Sequence, residues 1–128
     1  MVIHLHDYDS HYYPAMPMIE VRLQRRSNEA GMMVKAIVDS GSDGTIIPLR
    51  YLRSLKARKG RTTWLSSVDG LRQEVDLYGV VLQIGHHRPF HLEVVGMESQ
   101  REAIIGRDIL NQFVVTLNAP ALTVEISE

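Results

Sequence analysis

The sequence contains no cysteine, so it has no disulfide framework, no thiol nucleophile and no cysteine-based zinc site. It also lacks an excess of either charge. Fourteen lysines and arginines face fifteen aspartates and glutamates, for a formal net charge of −1. Such a balance gives no global attraction to nucleic acid or to an anionic membrane. No apolar run approaches the roughly 18–20 residues that a membrane-spanning helix needs. The opening MVIHLHDYDS has neither the basic nor the apolar stretch of a signal peptide. A cytoplasmic protein is the expectation, with neither nucleic acid nor membrane as a partner.

What is present is an ordinary globular composition, 45% hydrophobic and 23% charged, in 128 residues. That length suits a single domain with one core. MIEVRLQ (Met18–Gln24) alternates apolar and polar residues and predicts a half-buried strand; Met32–Val38 predicts a second, wholly apolar towards its end. In PLRYLRSL (Pro48–Leu55) a leading proline and leucines at 49, 52 and 55 predict a helix. Arg58–Arg61 reads as a basic loop. TTWLSSV and LRQEVDLYGVVLQIG flank Asp69-Gly70, a dipeptide of tight hairpin turns. Phe90–Val95 is a further strand, Ala103–Ile105 leads into a short helix at Arg107–Gln112, and FVVTLN and LTVEIS form a last hairpin about Ala119-Pro120. Residues 1–17 have no sustained period and read as an arm or lead-in to one domain at 18–128. Many short strands with two brief helices predict a small barrel or sandwich.

Two segments share a pattern in which an apolar strand runs into a glycine turn: AIVDSG at 36–41 and AIIGRD at 103–108. In the first, a strand bound for the core ends on Asp39. Burying an ionised carboxylate without partners costs several kcal/mol, so the residue either caps a turn or has a chemical task. Asp-Ser-Gly alone is weakly informative. AIVDSGSDGTIIP followed downstream by AIIGRDILNQFVVTLN, however, resembles the retroviral-type aspartic peptidases, the retropepsins, over roughly Ile19 to Asn118.

That resemblance implies an all-β fold: a small closed barrel of the retropepsin (acid protease) type with one or two short helices, assembled as an obligate C2 homodimer. It implies that Asp39 is catalytic and that the Ser40 hydroxyl bonds across the dimer beneath the site. It implies that Gly41 lets the backbone approach the substrate and that Ser42 and Asp43 contact the substrate backbone. Gly106 and Arg107 support the site, Arg107 by pairing with Asp43. Ile46, Ile47 and Ile105 are implied as subsite walls. Thr62–Asp76 takes the place of the flap, with Val68, Asp69 and Gly70 near its tip. Neither a cofactor nor a metal is implied. Tyr13-Pro14, an aromatic residue before proline, is marked as a bond for self-processing. This chain carries ALTVEISE beyond the point where the viral enzymes end, so a C-terminal hairpin is expected to build the dimer sheet.

The chemistry fits the residues. Amide hydrolysis by water needs a base for the water's proton and an acid for the substrate. With one Asp-Ser-Gly per chain, the second carboxylate must come from a second copy, so the expected activity is that of a homodimeric aspartic endopeptidase acting on polypeptides. A non-catalytic dimeric module that grips extended peptides is the alternative. A nucleic-acid adaptor is disfavoured by the near-neutral charge. The cluster Arg50, Arg53, Lys56, Arg58, Lys59 and Arg61 reads as the solvated face of a helix. Nothing in the spacing of His4, His6, His11, His86, His87 and His91 makes three or four of them converge on a metal.

Overall fold

The computed structural model describes residues 2–67 and 69–128 and is almost entirely β. In chain order the elements are β1 (Ile3–Asp7), β2 (Met18–Gln24), β3 (Met32–Val38), β4 (Ile46–Pro48), α1 (Leu49–Leu55), β5 (Arg58–Ser66), β6 (Arg72–Gln83), β7 (Phe90–Met97), β8 (Ala103–Ile105), α2 (Arg107–Leu110), β9 (Val114–Asn118) and β10 (Thr123–Ser127). The strands β2, β3, β8, β4, β7 and β6 pair in that order. The ring closes because Arg22, Leu23 and Gln24 of β2 also pair with Gln83, Leu82 and Val81 of β6. A closed six-stranded barrel results, leaving no open edge in the ring. Strand β5 lies outside it, hydrogen-bonded to β6 as a long hairpin.

Three elements differ from the sequence expectation. Arg58–Arg61 is not a loop but the start of β5: Arg58 and Lys59 pair with Gly79 and Tyr78, and a bulge before Thr62 absorbs the irregularity. Helix α2 ends at Leu110, one short turn. Within the lead-in, Ile3–Asp7 forms a strand that pairs with β10, which pairs in turn with β9, making a three-stranded sheet of chain ends.

Alternation sorts the apolar side chains into two clusters. Ile47, Val80, Leu82, Val94, Ala103 and Ile105 join Ile19, Val21 and Leu23 in the main core. Their strand neighbours Ile46, Val95 and Ile104, with Val75 and Leu77, form a smaller cluster on the opposite face. Helix α1 leaves β4 at Pro48, buries Leu52 in the main core and stops at Lys56 in the left-handed conformation.

Histidines fasten the chain-end sheet to the barrel. His4 on β1 packs edge-on against His87, with ring centroids 4.7 Å apart, and tilted against His86 at 5.6 Å. The His86 amide donates to His4 Nε2 (3.1 Å), and the Glu20 amide donates to His6 Nδ1 (3.1 Å). Both nitrogens must be unprotonated to accept. Gly85, at φ +53, lets the turn pass beneath the His4 ring, where a Cβ would lie 2.3 Å from it.

Burial and then the charges of His87 and His86 lower the pKa of His4; burial and then His4 lower that of His6, against the opposing pull of Glu20 and Asp7. Histidines with folded pKa values below the ordinary 6.5 bind more protons unfolded than folded over that interval. Their contribution is therefore complete above the unfolded value and is lost as pH falls through the folded values. Melting by circular dichroism is expected to show a lower Tm at pH 5 than at pH 7, with the difference reduced in His4→Gln. An unchanged pH dependence in that variant would remove His4 as the cause.

Candidate active site

Asp39 follows directly on β3, where Val38 pairs in parallel with Ile105 of β8. Its amide donates to the Ile105 carbonyl (3.1 Å) and its carbonyl accepts from the Ser42 amide (3.2 Å), so two backbone bonds fix the loop on which the carboxylate stands. The half-buried carboxylate accepts the Gly41 amide at Oδ1 (2.9 Å). No lysine, arginine or histidine lies within 4.0 Å of it among the described residues. A Cβ at Gly41 would sit 3.1 Å from that same Oδ1, so glycine keeps the carboxylate's flank clear. The exposed Ser40 hydroxyl has no hydrogen-bond partner among the described residues.

The second glycine segment locks onto this loop. Arg107 donates its amide to the Ser42 carbonyl (2.9 Å) and its guanidinium to the Ser40 carbonyl (2.6 Å), and it also pairs with Asp43. The Asp43 side chain is 88% exposed, so that ion pair is worth at most about 1 kcal/mol. The stronger tie was not visible in the sequence. Asp108 accepts the Thr45 amide (3.0 Å) and hydroxyl (2.8 Å), and the Thr45 hydroxyl oxygen accepts the Gly106 amide (3.2 Å). Thr45 is fully buried, so Asp108→Ala takes the acceptor away from two donors that the native fold shields, although Asp108 itself is exposed. A loss of about 2–3 kcal/mol is expected in urea unfolding, with Asp108→Asn intermediate because an amide replaces only part of the acceptor set. An alanine variant within about 0.5 kcal/mol of the parent would contradict this account.

A cleft of about 500 Å³ opens beside the Asp39 loop. Gly41, Ser42, Asp43 and Ile46 form one wall; Leu65–Ser67 and Leu71–Gln73 of the β5–β6 hairpin form the other. Asp69 and Gly70 turn the hairpin tip: Gly70 adopts φ +84, and Asp69 accepts the Ser67 hydroxyl and the Leu71 amide (3.2 Å), bonds that hold its pKa below the usual value. Val68 lies outside the described residues. Two expected wall residues are elsewhere. Ile47 and Ile105 are each 0% exposed in the barrel core, on the inward phase of their strands. The adjacent residues, Ile46 and Ile104, face the cleft-side cluster. Leu65, which the flap resemblance also marks as a residue affecting closure, lines the cleft, and Arg72 lines it without any signal in the sequence to single it out; Arg72 also lies over the Trp64 ring, 5.2 Å from its centroid. Among the described residues no group of three histidines or carboxylates is arranged to hold a metal, and no helix is long and apolar enough to cross a membrane.

Comparison with known structures agrees with this architecture. EIAV protease complexed with the inhibitor HBY-793 matches with a TM-score of 0.59 and 21% identity over 76% of this chain and 86% of its own. A retropepsin-like aspartic protease from Rickettsia conorii matches with a TM-score of 0.65 and 10% identity over 98% of this chain and 90% of its own. At such identities the likeness concerns the fold. No curated protein sequence matches significantly. The family model of the retroviral aspartyl protease matches residues 14–118, which include the Asp39 loop, the β5–β6 hairpin and the Gly106-Arg107 turn. The chain belongs to the retroviral aspartyl protease family.

Proposed function

We propose that this protein is an aspartic endopeptidase that works as a C2 homodimer, with Asp39 of each subunit forming the catalytic pair. The observation that carries the reading is the Asp39 loop itself. A half-buried carboxylate, held by one backbone amide, stands beside a cleft on a chain that supplies a single Asp-Ser-Gly. Two carboxylates about 3 Å apart cannot both ionise, and aspartic proteases are the known example of such a pair sharing one proton. The ionised member takes a proton from water, whose oxygen attacks the scissile carbonyl. The protonated member hydrogen-bonds the carbonyl oxygen as it gains charge. Collapse of the tetrahedral species breaks the C–N bond, with the proton delivered to the amine. No covalent enzyme intermediate forms.

Several features support this reading. The unengaged Ser40 hydroxyl is available for a bond to the partner subunit. The β5–β6 hairpin forms one wall of the cleft, as a flap closing over an extended peptide requires, and Ser42 and Asp43 line the facing wall, which suits them to contact the peptide backbone. Strand β9 is one of the two outer strands of the chain-end sheet and exposes Val114 and Leu117, an edge suited to pairing with a second copy. The purified protein should cleave members of a peptide library between about pH 4 and 7, a window chosen around shared-proton carboxylates, and a statine-type inhibitor should stop it. Specific activity should fall on dilution as dimers dissociate. Peptide binding without cleavage at any concentration would favour the non-catalytic module.

A further inference from the structure

Strand β6 changes partner along one edge. Arg58 of β5 stands opposite Gly79, but Gln24 of β2 stands opposite Val81. Between them the two strands part, and a groove of about 540 Å³ opens over Val80. Arg25 and Arg26 enter it from the end of β2, Lys56 and Arg58 from the approach to β5, and His91 from β7. Glu29 already engages Arg25 at 2.6 Å. Arg26, Lys56 and Arg58 are exposed and have no carboxylate within 4.0 Å among the described residues. A chain of net charge −1 thus gathers three unneutralised cations at one recess.

Lys56 adds an independent observation. It ends α1 with φ 58, a left-handed conformation that glycine adopts most easily and that lysine adopts at a cost. The residue at the rim is therefore better explained by its charge than by its backbone.

We propose that this groove binds a short acidic segment of a polypeptide, namely of the substrate that the cleft cuts; the substrate assignment rests on the peptidase reading. Carboxylates complement the three free cations. No tryptophan, tyrosine or phenylalanine lines the groove, so the stacking platform on which single-stranded nucleic acids rest is missing. The positive stretch is also short, because the next cations along β5 are neutralised: Lys59 by Asp76 at 3.4 Å and Arg61 by Glu93 at 3.6 Å. A few carboxylates fill such a site, whereas a long phosphate backbone overruns it. The groove lies at the base of the hairpin whose tip borders the cleft. From Gln73 to Gly79 the strand covers about 20 Å, a distance that about six residues of extended peptide span.

Fluorescence anisotropy of a labelled hexaglutamate peptide on the full chain reads this site whether or not the protein cuts, with hexaglutamine as control. Hexaglutamate should bind, and more weakly as salt rises. An Arg26→Ala/Arg58→Ala variant should weaken binding roughly tenfold. Lys56→Gly should also weaken binding, yet leave the melting temperature unchanged or raised, which a structural role for the lysine does not predict. In cleavage assays, substrates with glutamates about six or more residues from the scissile bond should show a raised KM in the double variant and an unchanged kcat, while substrates without them show neither change. Equal hexaglutamate affinity in parent and variants overturns the proposal. So does tighter binding of a single-stranded oligonucleotide of equal charge, which would make the groove a nucleic-acid site. Hexaglutamate binding that depends on Arg26 and Arg58 in a protein that cleaves nothing would remove the peptidase reading and leave the acidic-peptide site standing.

Discussion

Asp39→Asn is expected to lower peptide hydrolysis by about a thousandfold or more, because general acid–base work of this kind contributes factors of that size and the pair has no substitute. The fold should survive. An asparagine carbonyl still accepts the Gly41 amide, and the backbone bonds to Ile105 and Ser42 do not involve the side chain. Melting temperature should therefore stay within a few degrees of the parent. Mixing gives a sharper result than the homodimeric variant alone. After exchange at equal concentrations, random pairing leaves about a quarter of the dimers with two aspartates and about half with one. A hybrid with a single carboxylate lacks either its acid or its base, so activity should settle near half of its value before exchange, since wild-type homodimers fall from half of all dimers to about a quarter. Retention of the full value would mean that each subunit works alone. Full activity in Asp39→Asn would remove this residue from the chemistry.

The pH response couples this chemistry to the fold. The proposed mechanism needs a pair of carboxylates that keeps one proton, which lower pH favours in such pairs generally, but lower pH also protonates His4 and His6, which the native state holds neutral as acceptors for the His86 and Glu20 amides. Activity and stability therefore pull in opposite directions as pH falls below about 6.5. Because β1, which carries both histidines, pairs with β10 beside the exposed edge of β9, loss of that clasp would loosen the surface proposed for dimer formation.

How much of this was legible in the sequence depended on which residues carried the signal. β2 and β3 were read to the residue, since the alternation of MIEVRLQ reports a strand with one face in the core. β1 alternates too, but its inward positions are His4 and His6 where apolar residues announce a core face, so its pattern looks irregular. The start of β5 is exposed on both faces and carries no periodic signal. The inclusion of Ile47 beside Ile46, and the choice of Ile105 in place of Ile104, have another origin. Both strands are apolar on both faces, and a run without polar partners does not reveal which residue points at the cleft. The Asp39 loop and its Gly106-Arg107 counterpart were legible because each is a local motif. The Asp108–Thr45 tie was not, since it joins polar residues 63 positions apart with no local pattern at either end.

Gly106→Ala is expected to be the most damaging single-methyl change at the site. Gly106 has φ −96, a conformation open to any residue, so the cost lies in contact and not in backbone preference. A Cβ there would lie 2.5 Å from the Gly44 carbonyl oxygen, 2.6 Å from the Gly44 carbonyl carbon and 2.9 Å from the Ser42 oxygen. All three atoms are backbone, so no side-chain rotation relieves the clash. The two loops must separate, which strains the Arg107 amide bond to Ser42 and the Gly106 amide bond to Thr45. Overpacking of this kind costs about 2–3 kcal/mol, which lowers Tm by roughly 10 °C in a domain of this size. Gly79→Ala is the matched control, because a Cβ there meets nothing within 4 Å and its melting temperature should scarcely move. Activity should fall further than the loss of stability accounts for, because separation of the loops displaces the Ser42 carbonyl and, through it, the loop that holds Asp39. If Gly106→Ala melts with the parent and cleaves as fast, the close packing of the two glycine segments is not what holds the carboxylate in place.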